Sequence, residues 1–244
     1  MGKVKEFIGS LKNNFWNYKI DNNQSFFIDS LRKRGVSIGE NVLFVKPSSS
    51  TIDLTSPYLI SIGDNVCVSK GLSIFTHDYS SFVERMITGE VLGGVDKVSI
   101  GSNIQIGANV TILMGTIIED NVIIAAGAVC RGHLESGYVY GGVPAKRIST
   151  IESFVIKRRQ DQFEKAKIVV CSYYKKYGKI PDQNIFYPLH IFPLFLKVDE
   201  WPDSFWNGFG QRLSKEKIAS FYQNFKPMFD NYDAFIAAVG LKSD

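Results

Sequence analysis

Between Val98 and Arg131 apolar and polar positions repeat with a period of six. Isoleucine recurs at Ile100, Ile106, Ile112, Ile118 and Ile124. A looser series, Ile104, Val110, Thr116, Val122 and Ala128, follows four residues after each. Turn formers stand between them at one phase: Asn103, Asn109, Gly115, Asn121 and Gly127. Helices repeat near 3.6 residues and strands near 2, so a period of six is neither. It predicts a solenoid whose coils stack as short parallel strands. Asn and Gly tolerate the left-handed backbone of a tight corner. The isoleucines, sharing a phase, point inward as a ladder about 4.8 Å apart.

The rhythm starts weakly at Val36 to Val42, blurs through residues 46–58, and resumes at Ile60, with Ile62, Val68 and Ile74 in phase. It stops at His77. Residues 78–97 carry no repeat and include the pair Gly93-Gly94. Repeat arrays place insertions as loops on one face, often the binding face, and long loops in compact domains tend to be functional. His77 falls at the phase where Asn or Gly stands in other repeats, so it marks the corner where the chain leaves the solenoid. The rhythm ends near Arg131, and glycines and a proline in residues 136–148 close the coil. The chain divides into a helical segment 1–35, a solenoid 36–148 with its excursion at 78–97, and a helical, aromatic-rich extension 149–244.

In the first segment Phe7, Ile8, Leu11 and Phe15 fall at helical spacing. Lys3, Lys5, Lys12 and Lys19 suit peripheral contact with an anionic membrane, but the preferred reading packs the apolar stripe on the end of the solenoid. In the extension Thr150 to Tyr177 predicts a long amphipathic helix ended by Gly178 and Pro181. Residues 185–210 are irregular, with Trp201, Phe205, Trp206 and Phe209, and two short helices follow near 214–225 and 232–239. These aromatics are expected to pack on the solenoid or on a neighbouring subunit; their ring faces also suit sugar C–H groups.

With 244 residues and 45% hydrophobic content the chain can bury one sizeable core with appendages. A net charge of +4 is too small to argue for nucleic acid without a localised patch. The three cysteines, Cys67, Cys130 and Cys171, show neither a disulfide framework nor zinc spacing, which fits a reducing compartment. No apolar run reaches the ~20 residues of a membrane span, and no signal-peptide core is present. A soluble cytoplasmic protein is expected.

The hexads, the break after Ser73-Ile74-Phe75-Thr76-His77-Asp78-Tyr79-Ser80, and the closing Gly141-Gly142-Val143-Pro144-Ala145-Lys146-Arg147-Ile148 carry a resemblance. Over about residues 36–148 the chain resembles the hexapeptide-repeat acyltransferases. Within them it is most similar to the maltose, galactoside and nodulation-factor O-acetyltransferases and their capsule and exopolysaccharide relatives. The resemblance implies a mainly β fold, a left-handed parallel β-helix of three hexads per coil, a hand opposite to the usual crossover preference. It implies a homotrimer with active sites between subunits. It also implies acetyl-CoA as donor, no metal, and a sugar hydroxyl as acceptor, in a bacterial surface polysaccharide or its precursor.

Attack of an alcohol on a thioester needs a general base, and an imidazole with an unperturbed pKa near ~6.5 suits it. Of the three histidines only His77 lies where the repeat opens, and it matches the family's catalytic histidine; His133 and His190 read as structural. The thioester oxygen needs a donor as it gains charge, and the family's backbone N–H donor maps to Ala108 in Ile106-Gly107-Ala108-Asn109. Gly107, Ala108 and Ala126 are small enough for a pantetheine arm to lie against the coils, although the hexad itself demands small residues there. Arg131, Lys146 and Arg147 match basic positions suited to the CoA phosphates. Asp53 and Tyr58 are the acceptor-side candidates, with Asp78 and Glu84 in the excursion. The family's acceptor-orienting Asn and Asp do not map cleanly onto residues 46–58, and Gln105 stands where many relatives carry Trp.

Rival readings are an antibiotic- or other small-molecule-modifying acetyltransferase, a sugar-nucleotide N-acetyltransferase and a non-catalytic scaffold. A serine acetyltransferase needs a larger helical domain before the solenoid. A zinc hydratase on this scaffold needs three converging histidines, and only His77 lies between Val36 and Arg131.

Overall fold

The computed structural model describes residues 17–207, 215–223 and 225–241. The stripe Phe7, Ile8, Leu11 and Phe15, the lysines at 3, 5 and 12, and Phe209 lie outside the described residues. The chain forms two compact units that divide between Phe154 and Val155.

Helix α1 (Gln24–Lys33) precedes the coils. The first coil is β1 (Ser37–Ile38), β2 (Leu43–Phe44) and β3 (Thr51–Ile52), and the second is β4 (Ile60–Ile62), β5 (Val66–Val68) and β6 (Ser73–Ile74). The third is β7 (Val98–Ile100), β8 (Ile104–Ile106) and β9 (Thr111–Ile112), and the fourth is β10 (Ile117–Ile118), β11 (Ile123–Ile124) and β12 (Val129–Cys130). A fifth begins with β13 (His133–Leu134) and β14 (Tyr138–Gly141), and β15 (Lys146–Thr150) folds back antiparallel on β14. Each strand from β1 to β11 pairs in parallel with the strand three further on. The result is three faces, ordered β1-β4-β7-β10-β13, β2-β5-β8-β11-β14-β15 and β3-β6-β9-β12.

The in-phase isoleucines and the second series meet as the hexad predicts. Ile100, Ile106, Ile112, Ile118 and Ile124 are buried with Ile104, Val110, Val122 and Ala128 in one core. Truncating one of these isoleucines to alanine costs about 2–5 kcal/mol. Asn41, Asn65, Asn103 and Asn121 all take φ between 56° and 58° at the corner joining the first face to the second. Their side-chain amides bond in a ladder of 3.1–3.2 Å links from coil to coil. At the next corner Gly71, Asn109 and Gly127 take the same left-handed backbone.

The described part of the N-terminal segment closes the first coil. Ile20, Phe27 and Leu31 join the solenoid core. Gln24 takes up both the amide and the carbonyl of Phe44, so its side chain stands in for a strand at the exposed edge of β2. Lys19 sits over the Phe26 ring, 4.0 Å from its centroid.

The excursion holds a helix, α2 (Ser81–Thr88), that the sequence reading gave as loop. Two turns with no buried residue leave no core-facing stripe to detect. The helix stops at Gly89, whose φ of 77° lets its amide return to Arg85.

The second unit is built on α3 (Ile151–Tyr177), whose start is capped by Thr150 Oγ1 accepting from the Ser153 amide at 3.1 Å. Gly178, at φ 67°, ends it. After α4 (Asp203–Asn207) come α5 (Lys215–Tyr222) and α6 (Tyr232–Val239). Here the sequence expectation needs correcting. Phe186, Phe192, Phe195, Trp201 and Phe235 are buried with Ala166 and Val170 in a core of the unit's own, with Phe205 and Trp206 packed against it. Rings used this way do not offer faces to a sugar. Among the described residues no helix is long and apolar enough to cross a membrane.

Candidate active site

His77 follows β6, where the chain leaves the third face. Its phase predicts a left-handed corner, and the structure replaces that corner with a two-stranded stalk. His77 bridges antiparallel to Val95, the Asp96 amide donates to Thr76 O at 2.9 Å, and the Asp78 amide donates to Gly94 O at 3.1 Å. The imidazole therefore stands where a coil opens, on a backbone fixed from both sides. Its side chain is 21% exposed.

Asp53, expected on the acceptor side, lies behind the imidazole instead. It belongs to the first coil, and its amide donates to Ile74 O at 3.0 Å, which stacks it beside the second. Its Oδ2 faces His77 Nδ1 at 2.6 Å and accepts from Thr76 Oγ1 at 2.6 Å and from the Thr76 amide at 3.0 Å. Oδ1 accepts from the Thr55 amide at 3.0 Å. The Asp53 side chain is only 5% exposed. Burial works against its ionisation, but the donors from Thr76, Thr55 and His77 outweigh it and hold the carboxyl well below the usual carboxylate range. An ionised Asp53 only accepts, so Nδ1 carries the proton and the Nε2 lone pair is left for chemistry. The sequence hid this pair because 24 residues and a whole coil separate its members.

Sequence reasoning also passed over Tyr79. Its ring meets the His77 ring edge-on, with centroids 5.1 Å apart, and it is 79% exposed. An exposed aromatic beside a histidine was the available signal.

Ala108 lies on a different edge. At the corner joining the first and second faces, the turn amides of the first three coils are each taken by a side chain of the next coil. Glu40 N donates to Asp64 Oδ1 at 2.7 Å, Asp64 N to Ser102 Oγ at 3.0 Å, and Ser102 N to Asp120 Oδ1 at 2.7 Å. At the corner joining the second and third faces the same position is held by Lys70, Ala108 and Ala126. None carries a short polar side chain to cap the coil below, and among the described residues no hydrogen bond from these amides is found. Ala108 and Ala126 thus present open N–H donors along one edge. Gly107 is small for a reason internal to the stack: a Cβ there would lie 2.4 Å from Ala126 N. Lys146, exposed, opens β15 opposite Gly141, where the second face reaches this edge. Arg131 is exposed just after β12, at the edge that His77 shares.

The other sequence candidates divide. Arg147 is committed within its hairpin: it pairs with Glu135, sits 4.3 Å over the Tyr138 ring centroid, and donates through Nε to Tyr140 Oη at 3.4 Å. That leaves Lys146 as the cation of the pair open to a ligand. Asp78 Oδ1 accepts from the Ser80 amide at 2.9 Å, and Glu84 Oε1 from Ser80 Oγ at 2.8 Å, so both acids fasten the start of α2. Tyr58 is exposed in the turn Pro57–Leu59. The structure brings His77 and Asp53 together in one chain; it places His77 and Ala108 on separate edges of the solenoid.

Residues 97–132 match a family model described as bacterial transferase hexapeptide (six repeats). Protein CapG of Staphylococcus aureus is 36% identical over 129 residues, which span 53% of this chain and 74% of CapG. The putative lipopolysaccharide biosynthesis O-acetyl transferase WbbJ of Escherichia coli (strain K12) is 30% identical over 122 residues, spanning 46% of this chain and 62% of WbbJ. Among solved structures, a galactoside acetyltransferase in complex with coenzyme A is 22% identical with a TM-score of 0.40, covering 58% of this chain and 80% of that one.

Proposed function

Because the chain belongs to the bacterial hexapeptide-repeat transferase family, we propose that it is an acetyl-CoA-dependent O-acetyltransferase acting on a sugar hydroxyl of a bacterial surface polysaccharide or its precursor. The carrying observation is His77 held through Nδ1 by the buried Asp53 carboxylate, with Nε2 left at the mouth of the excursion. Nε2 takes the hydroxyl proton as the sugar oxygen attacks the thioester carbonyl. The Ala108 N–H donates to the carbonyl oxygen as it gains charge. His77 then returns the proton to the departing CoA sulfur, and Asp53 stabilises the imidazolium between the two events. The direct transfer forms no acyl-cysteine, and Cys130 is unsuited to one: burial pushes its thiol up to about 12, so it supplies no thiolate at neutral pH. The coil is read as left-handed, the hand that the family resemblance implies, and the donor places the reaction in the cytoplasm. The test is CoA release that depends on an added sugar, with one acetyl gained by that sugar in mass spectrometry. CoA release that responds to amines and to no saccharide overturns the reading.

The donor arm is read along the edge of Ala108 and Ala126, with Lys146 toward the CoA phosphates and Arg131 as the second cation. Lys146→Ala and Arg131→Ala are each expected to remove one charge-assisted contact, worth about 1.5–3 kcal/mol if fully made and less in solvent. Initial-rate kinetics should show a raised KM for acetyl-CoA with kcat near normal. Loss of kcat at unchanged KM assigns these residues another role.

A homotrimer completes the site. His77 and Ala108 lie on different edges of the solenoid, in successive coils, so a second copy must bring its open amide to the imidazole. The excursion supports such contact, since Phe82, Val83, Met86 and Ile87 on α2 are all exposed on one monomer. Light scattering at micromolar concentration should give three times the chain mass; a monomer contradicts both the assembly and the shared site.

A further inference from the structure

The helical unit carries chemistry that acetyl transfer does not use. Where α3 ends, Tyr173, Lys179, Pro181, Asp182, Gln183 and Tyr232 line an open cleft of about 440 Å³. Small-molecule sites occupy roughly 300–1,000 Å³. The walls are fixed. The Tyr232 hydroxyl donates to Pro181 O at 2.6 Å. Burial, then the charges of Asp182 and Asp233, push this phenol well above its ordinary range, so the hydroxyl keeps its proton and the bond persists. Asp182 Oδ1 accepts from the Asn184 amide at 2.8 Å and starts the turn Gln183–Phe186. The Tyr173 ring packs against that of Tyr177 with centroids 4.6 Å apart, and Tyr177 is exposed, so the aromatic surface continues out of the cleft.

The polar groups are of mixed kind: an ammonium that donates, a carboxylate that accepts, and an amide that does both. A phosphate would meet the Asp182 carboxylate. An aliphatic chain would make no use of the exposed Lys179 and Asp182 or the half-buried Gln183. A saccharide satisfies all of them, because its hydroxyls donate and accept while its C–H face suits a tyrosine ring. We infer that this cleft is a saccharide site additional to the one at His77. The inference rests on the reading of the protein as a sugar-modifying enzyme.

Saturation-transfer NMR on the full chain tests it, with methyl glucoside, methyl galactoside and methyl N-acetylglucosaminide as probes. Wild type and His77→Ala should both transfer to ring C–H protons of at least one probe. The Lys179→Ala/Gln183→Ala variant, which touches no core residue, should lose about two- to tenfold of that binding for each hydrogen bond removed. No transfer from wild type to any probe, or transfer unchanged in the double variant, overturns the site. The catalytic reading fails separately. If His77→Ala remains fully active while the cleft variant still loses its sugar signal, the cleft stands and the His77 assignment falls.

Discussion

Replacing His77 by alanine is expected to lower kcat by about 10²–10⁴, the usual worth of a positioned general base. An unactivated sugar hydroxyl attacks a thioester poorly, because its proton must leave as the new bond forms. The imidazole is placed for that proton by two independent restraints, the stalk bonds of its backbone and the 2.6 Å contact of Nδ1 with Asp53. The side chain projects where the coil opens, so its removal leaves no cavity in the isoleucine core. Oligomer mass should stay as in wild type and CoA affinity should change little, while the melting temperature falls only by what the bond to Asp53 contributes, about 1–3 kcal/mol. Full activity of His77→Ala at neutral pH with an identified acceptor would sink the assignment. The base would then be sought at Asp78 and Glu84 in the excursion.

The repeat was legible because a solenoid writes its geometry in one dimension. Each coil places one inward residue and one left-handed corner residue at fixed intervals, so Ile106 or Asn103 declares its environment by phase alone. The ends of α3 were legible for a local reason, the Thr150 cap and the left-handed Gly178. What the sequence withheld depends on contacts between coils. Asp53 sits in a stretch where the rhythm blurs, and nothing near it in the chain names His77 as its partner. The open amide of Ala108 becomes meaningful only beside the capped amides of Asp64 and Ser102 at another corner. The expectation that the tail aromatics pack on the solenoid or on a neighbouring subunit failed for the same reason: hydrophobic residues announce burial, not the surface they are buried against.

Replacing Asp53 by asparagine is the sharper test, because it changes one charge and almost no volume. The buried carboxylate receives four donors: three at Oδ2, from His77, the Thr76 hydroxyl and the Thr76 amide, and one at Oδ1, from the Thr55 amide. An amide has one accepting end. If its oxygen takes the Oδ2 position, the NH₂ opposes the Thr55 amide, and a neutral acceptor replaces the charge that stabilises the imidazolium. If it flips, the NH₂ faces Nδ1 and forces the tautomer with the proton on Nε2, which cannot accept another. Either arrangement lowers kcat, by between about 10² and 10⁴ where a carboxylate orients a histidine in this way. Each lost buried partner costs about 1–3 kcal/mol, so a lower melting temperature is expected and does not by itself identify the role. The double variant does. If Asp53 acts only through His77, Asp53→Asn on the His77→Ala background should change kcat by less than about twofold, because residues that act as a unit are not additive. Independent, multiplying losses would mean that Asp53 merely holds the first two coils together. Near-normal kcat in the single variant would remove it from the chemistry altogether.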